Sequence, residues 1–114
     1  MYICVLVMIM KLIDRTSYNN YSDQQIISEV LYGNTELFEV IVRRYNQRLF
    51  RILKSYITYD QDAKDVLQKT YIKTFNKLDS FNNDACFSTW LIRIAINEAL
   101  MHLRKEKRHI KNEN

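Results

Sequence analysis

The residues with chemical potential in this 114-residue chain are concentrated near one end. Trp90, the sole tryptophan, is followed by Arg93 and Asn97 at i+3 and i+7, so a helix would present all three on one face. Further along the same stretch stand Arg104, Lys105, Lys107 and Arg108. An apolar root with a basic tip suits a helix held in a small domain and laid along a phosphate backbone. The alternative is a solvated last turn whose cations complement the helix dipole. Enzyme chemistry is not indicated. There is no GxSxG, no HExxH and no Gly-rich phosphate loop. His102 and His109 lie seven apart and can face the same way, but no carboxylate clearly orients either ring, so solvated polar positions are expected. No catalytic residue, metal ligand, cofactor or small-molecule substrate is assigned. Cys4 and Cys86 form no CxxC and read as ordinary small hydrophobes, which fits a reducing cytoplasm.

The elements that must position these residues are helices. With no proline and one glycine, the chain lacks the turn residues that strands and hairpins require, so the expected fold is all-α, a compact bundle of four helices ending in a long basic one. A net charge of +4 makes an acidic partner plausible without demanding one. The first helix is expected over 23–32, capped by Ser22 or Asp23, with Ile26, Ile27, Val30 and Leu31 as its apolar stripe. Gly33 ends it. Thr35 is expected to cap the second, from 36 to about 57, whose face is Leu37, Ile41, Tyr45, Leu49, Ile52 and Tyr56. Asp60 is expected to cap the third, to about 78, with Ala63, Val66, Leu67, Thr70, Phe75 and Leu78 inward and Tyr71 at the edge. Asp65, Gln68, Lys69 and Ile72 share its other face. A polar loop over 79–85 carries Phe81 in its middle, and the fourth helix follows, from about 85 to 110. Residues 1–20 form an apolar extension, too short at its apolar start to cross a bilayer as a helix; residues 21–111 form the domain; 112–114 are expected to fray.

Three blocks of this sequence resemble region 2 of the sigma-70 family, the bacterial RNA polymerase sigma factors, in its small extracytoplasmic-function (ECF) class. The first is Gly33-Asn34 with Phe38 and Tyr45-Asn46-Gln47-Arg48-Leu49-Phe50. The second is the run from Asp62 to Tyr71 with Phe75. The third is Phe87-Ser88-Thr89-Trp90-Leu91 with Arg93, Ile94, Ala95 and Asn97. The resemblance implies a non-enzymatic transcription initiation module that binds core RNA polymerase and recognises and melts the promoter −10 element. It implies docking on the β′ clamp helices through Asp62, Asp65, Gln68, Lys69, Tyr71, Ile72 and Phe75. It implies capture of the single-stranded −10 non-template strand through Phe81, Asn82, Asn83, Asp84, Ser88, Thr89, Trp90, Arg93 and Asn97. Phosphates would be held by Arg104, Lys105, Lys107 and Arg108. An anti-sigma factor is a further partner the family implies, and the cytoplasm its compartment. Lys64 and Lys69 stand where the family commonly has acids, and no region 4 helix-turn-helix domain is expected within these 114 residues. Those departures keep a second reading open: a truncated or inactive protein-interaction domain with the fold but without DNA binding. A third reading, a membrane-tethered regulator, rests on residues 1–10 alone.

Overall fold

A computed structural model describes residues 18–82 and 85–113, with side chains to Ile110. The expected apolar extension lies almost wholly outside the described residues, as do Asn83, Asp84 and Asn114. Among the described residues four α-helices, α1 (Asp23–Tyr32), α2 (Phe38–Tyr56), α3 (Asp60–Asn76) and α4 (Phe87–Glu113), enclose one core, with 3-10 turns at Thr35–Leu37 and Leu78–Ser80. There is no strand among the described residues.

α1 begins and ends where its residue types require. Ser22 and Gln25 form a reciprocal capping box: Gln25 N donates to Ser22 Oγ at 3.2 Å, and Ser22 N donates to Gln25 Oε1 at 2.8 Å. At the other end Gly33 takes φ +127°, a region other residues avoid. Its N–H reaches Val30 O (3.2 Å) while Asn34 N–H reaches Glu29 O (3.0 Å). This is the 5→2 and 6→1 pairing of a Schellman motif, which satisfies two orphan carbonyls. Ile26, Ile27 and Val30 are buried, but Leu31, assigned to the same stripe, is 51% exposed. It sits about 90° around the helix from the centre of the other three, on a flank that no element among the described residues covers.

α2 departs from expectation at its start. Thr35 does not cap it: residues 35–37 form a 3-10 turn, and Leu37 occupies the N-cap position without a side-chain bond. Its buried apolar residues are Phe38, Val40, Ile41, Leu49 and Leu53, with Glu39 buried beside them, so the true stripe continues in steps of four through 41, 45, 49 and 53. Ile52 is half-buried and Tyr56 is exposed. Arg44 ties the chain before α1 to this helix, donating to Asp23 Oδ1 at 2.8 Å, to Tyr18 O at 3.2 Å and to Tyr21 O.

α3 has Asp60 as its first helical residue and Tyr59 at the N-cap position, so Asp60 is not the cap. Its carboxylate instead pairs with Lys54 Nζ at 2.7 Å across the corner between α2 and α3. The hydrogen bond and charge of that ammonium hold its pKa below the usual value. Ala63, Val66, Leu67, Thr70, Tyr71 and Thr74 face inward. Both threonine hydroxyls donate to carbonyls one turn back, Thr70 to Val66 O (2.8 Å) and Thr74 to Thr70 O (2.7 Å), which lets them sit fully buried.

α4 starts at Phe87 rather than 85: Cys86 O accepts the first turn's bond from Trp90 N at 3.2 Å. Phe87, Leu91, Ile94, Ala95 and Ala99 are its buried root, against α2 and α3. Buried Glu98 is answered by Lys73 of α3 at 2.8 Å, so the one carboxylate in this root has a counter-ion. Helical backbone continues to Glu113.

Candidate nucleic-acid interface

The chain leaves α3 through the 3-10 turn and reaches Phe81, which folds back onto the first turn of α4. Its ring lies 5.1 Å from Trp90 and 5.6 Å from Phe87; Phe87 and Trp90 are 5.8 Å apart, and Tyr45 of α2 stands 6.0 Å from Phe87. This explains an aromatic in a polar loop: Phe81 is half-buried because it completes a cluster. Phe87 is the buried member; Phe81 and Trp90 are half-exposed and offer ring surface. Beside them opens a cleft lined by Ser22, Asp23, Gln24, Phe81, Ala85, Cys86, Phe87 and Ser88. Ser22, Gln24 and Cys86 were not anticipated, because the start of α1 and the start of α4 border one cleft only in the folded bundle. No linear spacing carries that signal.

Asp23 is fixed at the edge of this cleft. One carboxylate oxygen takes the Arg44 guanidinium, and the other accepts from the Tyr45 hydroxyl. Burial, reinforced by that bond to Asp23, pushes the Tyr45 phenol up to about 12. Asn82 and Thr89 are exposed and Ser88 is half-buried; Asn83 and Asp84 lie outside the described residues. Arg93 and Asn97 are exposed on the turns after Trp90, so the structure brings the three together on one outward strip as the spacing predicts. Arg104, Lys105, Lys107 and Arg108 are all exposed on the distal part of α4.

On α3, Asp65, Gln68, Lys69 and Ile72 are exposed on the shared outer face, with Asp62 half-buried. Phe75 is half-buried and stacks edge-on against Phe38 at 5.3 Å. Tyr71 must be taken off that surface. It is 2% exposed, and its hydroxyl donates inward to Val42 O (3.4 Å) and Asn46 Oδ1 (3.3 Å), pinning α3 to α2. Leu67, Thr70, Tyr71 and Thr74, at i, i+3, i+4 and i+7, define the buried stripe, and Tyr71 falls in its middle. Burial drives its phenol pKa well above the ordinary range. A second expectation also changes. His102 is half-buried and does have carboxylates beside it, Asp62 at 3.8 Å and Glu106 at 3.5 Å.

A bundle with a capped short first helix, a polar-faced third helix and a long basic fourth helix rising from an aromatic cluster defines the class. Residues 41–109 match the family model of sigma-70 region 2, and the chain belongs to that family. It is similar to the RNA polymerase sigma-H factor of Pseudomonas aeruginosa, 37% identical over 81 residues, which are 71% of this chain and 42% of that protein. It is also similar to the ECF RNA polymerase sigma-E factor of Haemophilus influenzae, 34% identical over 92 residues, 81% of this chain and 48% of that one. Among solved structures, an engineered region 2 of sigmaE in complex with GTAAAA aligns with a TM-score of 0.74 at 34% identity, covering 80% of this chain and 95% of that chain. The chain thus spans less than half the length of these curated relatives.

Proposed function

We propose that this chain is the −10-recognition module of an ECF-type sigma factor, binding core RNA polymerase and promoter DNA without catalysing a reaction. The observation that carries the reading is the half-exposed Phe81–Trp90 pair at the mouth of the cleft, continued by Arg93 and Asn97. A base turned out of a strand needs a ring to stack on and polar groups for its edge, and this strip supplies both. The engineered relative's complex with GTAAAA supports the same assignment. Phe81, Asn82, Asn83, Asp84, Ser88, Thr89, Trp90, Arg93 and Asn97 are assigned to the −10 non-template strand. Arg104, Lys105, Lys107 and Arg108 hold phosphates and set register rather than sequence.

Polymerase docking is assigned to the outer face of α3: Asp62, Asp65, Gln68, Lys69 and Ile72, with the exposed part of Phe75. Ile72, 38% exposed, is the apolar centre of a polar ring, a composition suited to a helical partner such as the β′ clamp helices. An anti-sigma protein is a further partner proposed for such a module. Such a module works in the cytoplasm; among the described residues no helix is long and apolar enough to cross a membrane.

The test is fluorescence anisotropy with single-stranded GTAAAA beside a scrambled hexamer. The wild-type chain is expected to prefer GTAAAA, and Phe81→Ala to lose at least fivefold in affinity with helicity unchanged, since a stacked base contributes about 1–3 kcal/mol. Equal binding to both hexamers by the wild type would remove the assignment. In parallel, core polymerase is expected to retain the wild type and release the Asp65→Lys plus Gln68→Ala variant. DNA binding without polymerase capture by either protein would leave a DNA-binding module with no docking face on α3.

A further inference from the structure

At the margin of the face assigned to polymerase, Asp62 in the first turn of α3 meets His102 and Glu106 of α4, and one ligand atom from each lies within 4.8 Å of the other two. His102 Nε2 is buried at the atom level and has no hydrogen-bond partner. It points between two carboxylate oxygens, Asp62 Oδ2 at 3.8 Å and Glu106 Oε1 at 3.5 Å, both too long for a hydrogen bond. Two donors each about 2.1 Å from a tetrahedral ion stand about 3.4 Å apart, close to these spacings and wider than a direct N–H···O contact. We propose that Asp62, His102 and Glu106 bind one divalent transition-metal ion, of which Zn2+ fits best, and that the ion clamps the start of α3 to the distal part of α4.

The ligand chemistry is consistent. His102 and Glu106 are at i and i+4, so one helix face delivers both, and Asp62 arrives from the adjoining helix. A neutral imidazole and two carboxylates neutralise a dication, and mixed N/O donors suit zinc over magnesium or calcium. Three protein ligands leave the fourth tetrahedral position for water or a group from a partner. The site binds the helix carrying the basic tip to the helix assigned to polymerase docking, so occupancy would stiffen the joint between them.

The experiment is calorimetric titration of the untagged chain with Zn2+ alone in a non-chelating buffer, with thermal unfolding measured alongside. One equivalent is expected to bind and to raise the Tm. Glu106→Gln is the informative variant, because Glu106 is 49% exposed and its loss leaves the core intact. It is expected to weaken binding at least tenfold and to abolish the Tm rise; His102→Ala is expected to do the same. No Zn2+ binding by the wild type overturns the site. So does undiminished binding by Glu106→Gln, which would place the ion elsewhere. A Tm lowered by His102→Ala in metal-free solution, with the Zn2+ response intact, would reduce the cluster to a packing contact and also overturn it.

Discussion

Asp23 shows how one side chain can serve both a fold and a site. It opens α1, accepts from Arg44 and Tyr45 of α2, and borders the cleft beside Phe81. The phenol it accepts from is the group that reports on it. Burial, then the bond to Asp23, raises the Tyr45 pKa to about 12, whereas an unfolded tyrosine titrates near 10. The native state therefore holds this proton more tightly than the unfolded chain. The associated stability is complete below pH 10 and declines as pH climbs from about 10 towards 12. Urea unfolding across that interval is expected to show the decline, and Tyr45→Phe is expected to flatten part of it; an unchanged slope in the variant would assign the effect to Tyr71 alone. At this scale the sequence was readable where spacing on a single helix sufficed, as for Trp90, Arg93 and Asn97. It failed at Tyr71, because a hydroxyl that can satisfy itself against Val42 O and Asn46 lets an edge residue move into the core. His102 failed in the same manner: its carboxylate neighbour Asp62 is forty positions away in the chain.

Elements are set by their ends and by a few cross-links. The limits of α1 could be read directly, since both the Ser22–Gln25 box and Gly33 are local signals. A Cβ at Gly33 would meet nothing within 4 Å, so only backbone strain opposes it. Gly33→Ala is accordingly expected to cost about 1–2 kcal/mol in urea unfolding, with no loss of folded structure. The start of α2 could not be read, because Thr35 is a plausible cap, and what displaced it was the burial of Leu37 and Phe38 through a 3-10 turn. The stripe of α2 was off by one position at its far end for a related reason. The helix is wedged between α1, α3 and α4, so its buried arc is wider than a single row of fourth residues suggests. Between α3 and α4 the Lys73–Glu98 pair is a charged cross-link. Lys73→Met leaves Glu98 buried beside no cation and is expected to cost about 1–3 kcal/mol. Adding Glu98→Gln is expected to recover part of that loss; full additivity of the two changes would mean the pair is not coupled.

At the scale of the whole molecule, the described chain measures 54 × 32 × 22 Å, and α4 accounts for most of the long axis. Twenty-seven residues of helix extend about 40 Å, of which only the root is enclosed by the bundle. Arg104, Lys105, Lys107 and Arg108 therefore project on a rigid arm, while Phe81 and Trp90 sit at its base. A strand held at the base and followed along the arm meets stacking first and charge second, so the two contributions to affinity are separable by salt. Each phosphate neutralised on a single strand contributes about −0.7 to the slope of log K against log salt concentration. Neutralising Arg104, Lys105 and Arg108 together, as glutamines, is expected to reduce the steepness of that slope by up to about 2 for an oligonucleotide long enough to reach them. The preference for GTAAAA over a scrambled sequence should be unchanged, because phosphate contacts carry no sequence information. Phe81→Ala should do the reverse, leaving the slope intact and erasing the preference. If the triple variant lost preference and slope in equal measure, the arm would be reading bases, and the division of labour between root and tip would have to be redrawn.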